Sequence, residues 1–278
     1  MKKIILPTDF SENSYNAISY ALHLFKEQDC TFYLLNTYTP AVYQAEYLLH
    51  SPGQIGLGDI YQSNSLEQLQ ALKVKLETEF KNGRHTFIVH AAFNTLPEEV
   101  REFVEQEKAD LVIMGTQGAT GAQEILLGTH TVHVLKQARC PLIMIPSGYA
   151  FKKPKEVLFP TDYEVAFGKL PMHDLLDLAL NHHSSIEVVH VATNYELSPG
   201  QKRNKTQLQK LLHKVPHNFH DLPSQEIITA INAFQQKTDV HFLVMVKNKH
   251  SFFERLFVEP VIRKIAFHVN IPFMVIPG

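Results

Sequence analysis

The chain has 278 residues, 45% of them hydrophobic and 19% charged, with a formal net charge of −2. Those values are ordinary for a globular protein about two average domains long. They leave no basic field to hold nucleic acid or an anionic membrane. The longest apolar runs, such as Leu142-Ile143-Met144-Ile145, are strand-length, far short of the ~20 residues a bilayer span needs. No nucleic-acid or membrane partner is expected. Met1-Lys2-Lys3 leads straight into Ile4-Ile5-Leu6-Pro7, too short for a signal-peptide core. The two cysteines, Cys30 and Cys140, are far apart. A reduced, cytoplasmic chain is the simplest expectation.

In chain order, Ile4-Ile5-Leu6 reads as a short buried strand ended by Pro7. Thr8-Asp9-Phe10-Ser11 is rich in residues that accept hydrogen bonds in turns and at helix N-caps. Ile18, Ala21, Leu22 and Phe25 then share a helical face. Thr31-Phe32-Tyr33-Leu34-Leu35 is a second strand. The stretch from Tyr38 to Ser65, with Pro40, Pro52, Gly53, Gly56 and Gly58, reads as one long loop, a lid or an interaction arm. Leu66, Leu69, Leu72, Leu76 and Phe80 describe the next helix, and Thr86–Val89 a third strand. Pro97, Glu98 and Glu99 suit the first turn of a helix that buries Val100, Phe103 and Val104. Leu111–Met114 is a fourth strand, Thr131–Gln137 a helix and Pro141–Pro146 a fifth strand. Such alternation predicts a parallel sheet with helices on both faces.

The pattern then restarts. Leu6-Pro7-Thr8-Asp9-Phe10 returns as Phe159-Pro160-Thr161-Asp162-Tyr163. Leu111–Met114 returns as Phe242–Met245, and Pro141–Pro146 as Pro272–Pro277. The offset is 153 at Pro7/Pro160 and 131 from Met114/Met245 onward, so the second copy has lost 22 residues between them. This is a tandem duplication, with copies over 1–148 and 153–278. Much of the loss is expected in the long loop of the first copy.

One stretch carries the chemistry. Met114-Gly115-Thr116-Gln117-Gly118-Ala119-Thr120-Gly121, running on to Gly128-Thr129, follows a buried strand and leads to a helix. A glycine-rich, donor-rich turn before a helix is a natural anion site. Glycine also permits positive φ and close approach of a ligand to the backbone. The stretch lacks the Gly-Lys-(Ser/Thr) ending of a P-loop and is not a dinucleotide G-x-G-x-x-G. The plainer reading is that these glycines serve turning and packing alone. For Asp9 it is an Asx turn or N-cap, and for Thr129 an N-cap.

Gly115-x2-Gly118-x9-Gly128-Thr129 after a fourth strand, with Pro7-Thr8-Asp9 ending the first, resembles the universal stress protein family in its nucleotide-binding form. Both copies resemble it along nearly their whole length. The resemblance implies two tandem doubly wound α/β domains, each with a five-stranded parallel sheet flanked by helices, Rossmann-like and similar to the adenine nucleotide alpha hydrolases. The first and fourth strands would be adjacent, making a switch point where ligands bind. The ligand implied is ATP or another adenine nucleotide, with Mg²⁺ bridging phosphate oxygens. Asp9, beside Pro7 and Thr8, would contact the ribose or adenine end, and Thr37 would line the adenine pocket. Met114, Gly115 and Gly118 would pass the ribose and phosphates. Gly128 and Thr129 would hold phosphates, with Thr131 as helper and His130 close by. The resemblance also implies pairing of fifth strands, here Leu142–Ile145 with Phe273–Ile276, giving an intramolecular pseudo-dimer, with a homodimer a further option.

The second copy departs from the motif. Gly115 becomes Val246, Gly118 Lys249, Gly128 Glu259 and Thr129 Pro260. Val246 and Lys249 disfavour positive φ, Glu259 opposes phosphate, and Pro260 offers no N–H. Pro260 suits the first turn of a helix carrying Ile262, Ile265 and Ala266. This copy is expected not to bind ATP in the family's manner, and Lys247, Lys249 and Arg255 read as a solvated face. The 16 histidines invite a metal hypothesis, but Pro216 breaks the His213, His217, His220 group, so no protein-ligated metal is expected. His182-His183 reads as a helix end. No local Ser-His-Asp or Cys-His set suggests a catalytic residue. The resemblance therefore implies a regulatory ATP-binding protein of the stress response with an unidentified protein partner. A slow ATP hydrolase at the same site and a non-catalytic interaction module are the alternatives.

Overall fold

A computed structural model describes residues 1–38, 57–116, 128–191, 196–223, 227–247 and 270–278. These residues form two compact units that meet in sequence between Cys140 and Pro141.

The first unit runs β1 (Lys2–Pro7), α1 (Glu12–Leu24), β2 (Cys30–Thr37), α2 (Leu57–Phe80), β3 (His85–Ala92), α3 (Leu96–Glu107), β4 (Leu111–Gly115) and α4 (Thr129–Gln137). The strands are parallel in the order β3-β2-β1-β4. The chain steps outward from β1 to β3, then crosses back to place β4 on the other side of β1. That reversal makes the carboxyl ends of β1 and β4 the switch point. Ile4, Ile5, Leu6, Phe32, Leu34, Val112 and Ile113 are fully buried. Such unbroken apolar runs are what parallel strands covered on both faces require. Helix α1 starts at the N-cap Ser11, whose side chain accepts from the Ser14 N–H. Helix α3 carries Pro97 in its first turn and buries Val100, Phe103 and Val104, as the periodicity predicts.

The second unit runs β5 (Leu142–Ile145), β6 (Glu156–Pro160), a single 3-10 turn (Phe167–Lys169), α5 (His173–His182), β7 (Ser185–Val191), α6 (Pro199–Leu212), β8 (His217–Leu222), α7 (Ile227–Lys237), β9 (Phe242–Lys247) and β10 (Phe273–Pro277). Its strand order is β5-β10-β9-β6-β7-β8, parallel except that β5 runs antiparallel to β10. Met144 faces Phe273, Ile143 faces Met274, and Leu142 faces Val275. These are the two strands expected to pair. The pairing explains why the sequence repeat changes near residue 150 whereas the compact units divide at Cys140: the last strand of the first repeat packs with the last strand of the second.

The sequence reading of Tyr38–Ser65 as one loop needs correction. Leu57–Ser65 form the opening turns of α2, a 24-residue helix. Few apolar residues mark those turns, so periodicity understates the helix. The rest of that segment, residues 39–56, lies outside the described residues. Positions 38–84 separate β2 from β3 and positions 192–216 separate β7 from β8, that is 47 against 25 residues. The full 22-residue difference therefore falls here, and ten of it is helix, since α6 has 14 residues against 24 in α2.

Candidate functional site

The site is built on the turn that follows β1. Pro7 ends the strand and Thr8 is buried behind it. The Thr8 N–H donates to the Leu35 carbonyl at 2.8 Å, and its carbonyl accepts from Asn36 Nδ2 at 2.7 Å. Thr8 Oγ1 accepts from the Phe10 N–H at 3.0 Å and lies 3.0 Å from Ser14 Oγ. Phe10 takes φ 62°, a left-handed conformation uncommon for a bulky residue. The side-chain bond to Thr8 holds it there. Between them Asp9 is exposed, with Oδ1 accepting from the Ser11 N–H at 3.1 Å and from Ser11 Oγ at 2.5 Å. The Asx turn thus exists, and it aims the carboxylate outward at the start of α1.

The register of β1 with β4 pairs Ile4 with Leu111 and Ile5 with Val112. Continued to the strand ends, it brings Thr8 level with Gly115. Met114 is buried and Gly115 ends β4. The Gly128 N–H donates to the Thr116 carbonyl at 2.8 Å, closing the excursion between them. Gly128 is the N-cap of α4 and supplies no side-chain cap. The N–H groups of the first turn, Thr129, His130 and Thr131, precede the first intrahelical bond, from Val132 N–H to the Gly128 carbonyl at 3.0 Å. A helix end with no side-chain cap, next to a strand end, suits an anion. His130 is exposed. Thr131 is 2% exposed, and its hydroxyl donates to the Gly115 carbonyl at 3.2 Å. That hydroxyl is turned to the strand, which makes it a fastener between β4 and α4. Thr37 is half-buried at the end of β2. Gly118 lies outside the described residues.

The positive-φ argument for these glycines needs correction. Gly128 has φ −56°, open to any residue, and Gly115 is a strand residue; among the described residues only Gly148 is a positive-φ glycine. What glycine provides at 115 and 128 is absence of a side chain beside the crevice.

The second unit rebuilds the same turn with different surroundings. Thr161 N–H donates to the Val189 carbonyl at 2.9 Å, Tyr163 N–H to Thr161 Oγ1 at 3.0 Å, and Glu164 N–H to Asp162 Oδ1 at 3.0 Å. Tyr163 has φ 57°. In place of Asn36 stands His190, whose Nδ1 donates to the Thr161 carbonyl at 2.9 Å. Unlike half-buried Phe10, Tyr163 is fully buried, its ring 4.8 Å from that of His190. Helix α6 reaches over the turn: Gln201 Nε2 donates to the Asp162 carbonyl at 2.9 Å and Asn204 Nδ2 to the Tyr163 carbonyl at 2.7 Å. Val246 is buried at the end of β9. Lys247 is half-buried, and burial pushes its pKa down, so it is not on the solvated face expected for it. Lys249, Arg255, Glu259, Pro260, Ile262, Ile265 and Ala266 lie outside the described residues.

Four further histidines that the sequence draws attention to make local contacts or close a helix. His213 follows α6 with Nδ1 2.7 Å from the Lys210 carbonyl, and His217 Nδ1 lies 2.9 Å from the Val215 carbonyl. His220 Nε2 lies 2.7 Å from Glu187 on β7. His183 closes α5 in a left-handed conformation.

Comparison with known proteins decides the family. A model of the Universal stress protein family matches residues 1–146. The chain belongs to the universal stress protein family. It is 33% identical over 156 residues to universal stress protein MJ0531 of Methanocaldococcus jannaschii, covering 56% of this chain and 84% of that relative. Universal stress protein MJ0577 of the same organism is 30% identical over 156 residues, 52% of this chain and 94% of the relative. Among solved structures, a universal stress protein from Archaeoglobus fulgidus superposes with a TM-score of 0.69 at 15% identity, covering 98% of this chain and 95% of that one. That likeness extends the fold across both units of this universal stress protein. Among the described residues, no helix is long and apolar enough to cross a membrane.

Asn36, Ser14, Gln201, Asn204 and the aromatic at position 163 were not singled out by sequence reasoning. The echo itself held the clue. Asn36 and His190 occupy the same place at the end of the second strand of each copy, both able to donate to a carbonyl.

Proposed function

We propose that the first unit binds one adenine nucleotide, ATP with Mg²⁺, and that the second binds none. The reading rests on one observation: the Asp9 turn and the N-terminus of α4, which has no side-chain cap, flank the same switch point. The residues present fit such a ligand. Asp9 takes the ribose or adenine end by accepting hydroxyl or amine protons, and Thr37 lines the adenine through its backbone. The N–H groups of Thr129, His130 and Thr131 take phosphate oxygens, and Gly115, Gly118 and Gly128 let the chain pass close by. Mg²⁺, which neutralises phosphate charge, comes with the nucleotide, since the turn supplies few carboxylates for it.

The protein's role is regulatory: it acts in the cytoplasm during the stress response, and nucleotide occupancy changes a surface that a protein partner reads. In the second unit Tyr163 is buried in the corresponding turn and Gln201 and Asn204 of α6 bond its carbonyls, which favours a supporting role for that copy. Isothermal titration with Mg-ATP tests the reading. Saturable binding by the wild type, lost in Gly118→Val, is expected; no binding by the wild type, or unchanged binding by the variant, overturns it.

A further inference from the structure

We infer that Asn36 and Ser65 are positioning residues through which α2 sets the Asp9 turn for its ligand. The inference rests on the nucleotide reading above.

Ser65 is a buried polar residue, 4% exposed, on the part of α2 that the sequence alone reads as loop. Its Oγ donates to Asn36 Oδ1 at 2.7 Å, and Asn36 Nδ2 donates to the Thr8 carbonyl at 2.7 Å. The directions are fixed by chemistry, because a carbonyl can only accept and the amide nitrogen can only donate. The Thr8 carbonyl belongs to the peptide that joins Thr8 to Asp9. Its plane is therefore gripped by Asn36 on one side, while the Thr8 N–H is held by Leu35. The next residue is Asp9, and after it Phe10 in its left-handed conformation. Rotation of the Thr8–Asp9 peptide would swing the Asp9 carboxylate. Two short hydrogen bonds in series thus run from α2 to the peptide that leads into Asp9, the residue proposed to hold the nucleoside.

The second copy shows which part of this relay the fold itself needs. His190 grips the Thr161 carbonyl as Asn36 grips Thr8, so the donor at the strand end is common to both turns. Among the described residues the buttress has no counterpart: the His190 ring lies against that of Tyr163, and α6 is ten residues shorter than α2. The part-buried Ser65–Asn36 bond is seen in the copy with the intact glycine motif. A fold requirement alone would be met by a donor; orienting Asp9 for a ligand calls for the donor to be held in one rotamer as well.

The test is Mg-ATP titration of full-length variants, with thermal melts alongside. Asn36→Leu is expected to weaken binding about fivefold to tenfold and Ser65→Ala about threefold, the range for one lost hydrogen bond. Asn36→His keeps a donor to Thr8, as in the second copy, but removes the amide oxygen that Ser65 bonds, and is expected to bind about threefold more weakly than the wild type, like Ser65→Ala. On an Asp9→Ala background, Asn36→Leu should cause no further loss, because its effect passes through Asp9. If wild type binds and Asp9→Ala weakens it, yet Asn36→Leu binds normally or loses the same factor on the Asp9→Ala background, the positioning role is wrong. If wild type does not bind, or Asp9→Ala binds as wild type does, the nucleotide reading fails and this role fails with it. Should Asn36→Leu not fold, Ser65→Ala, which keeps the bond to Thr8, decides by the same criteria.

Discussion

Pro7–Ser11 and Pro160–Glu164 are the same turn in two settings. Each ends a first strand, each ties its threonine to the second strand, and each forces an aromatic residue into the left-handed region, Phe10 at φ 62° and Tyr163 at φ 57°. In the first copy the turn opens outward, with Asp9 exposed and Phe10 half-buried. In the second it is closed over, with Tyr163 fully buried and α6 bonded to two of its carbonyls. The turn is therefore a property of the fold, not of the ligand. What differs is what covers it, and that difference is the ground for proposing that only the first copy binds nucleotide.

The strongest way to break this comparison is to remove the two aspartates in turn. Asp9→Ala is expected to weaken Mg-ATP binding about 10- to 100-fold, as for a lost charge-assisted hydrogen bond. Asp162→Ala should leave affinity unchanged in the same titration. Equal losses from both would show that the second turn is a working site.

A second comparison concerns how each unit treats a strand histidine. His90 and His220 each lie against a phenylalanine, Phe103 and Phe234, and each Nε2 meets a carboxylate at 2.7 Å. In the first unit that carboxylate is Glu99 on α3; in the second it is Glu187 on β7. Burial pushes the Glu187 carboxyl up, but hydrogen bonds from His220, Ser185 and Asn218 outweigh it and hold the pKa below the ordinary 4.5. Its contribution to stability is therefore full above pH 4.5 and lost as pH falls through the lower folded value. His220→Ala is expected to cost about 1–3 kcal/mol at neutral pH by stripping a partner from a buried carboxylate. It should also move the acid-unfolding midpoint upward, and chemical denaturation across pH 2–7 reads both effects. A variant as stable as the wild type at every pH would remove Glu187 from the account.

The smallest expected effect runs the other way. The Tyr163 hydroxyl is buried with no hydrogen-bond partner among the described residues, and burial pushes its pKa up. Tyr163→Phe, the first copy's residue at this point, is expected to stabilise by about 1 kcal/mol in a denaturant melt. Destabilisation by a similar amount would show that the hydroxyl is satisfied.

Much of this architecture is legible in the sequence, and for physical reasons. Continuous apolar runs such as Ile4–Leu6 and Leu111–Met114 mark strands buried on both faces, and the repeat of Pro-Thr-Asp marks the second unit. The family likewise follows from Gly115, Gly118, Gly128 and Thr129. The opening turns of α2 are not legible, because Gly58, Asp59 and the polar run Gln62-Ser63-Asn64 carry no helical apolar face. Nor are the gripping contacts. Asn36–Thr8, Ser65–Asn36 and Gln201–Asp162 join residues 28, 29 and 39 positions apart, and no local spacing encodes such pairs. The role of the glycines was legible only in part: their spacing carries the family resemblance, while the backbone angle at Gly128 shows that positive φ is not what glycine contributes there.

Native mass spectrometry of the full-length protein with Mg-ATP tests the central asymmetry most directly. The account predicts one nucleotide per chain, lost in Asp9→Ala and retained in Asp162→Ala. Two nucleotides per chain, or none at saturating Mg-ATP, would contradict it.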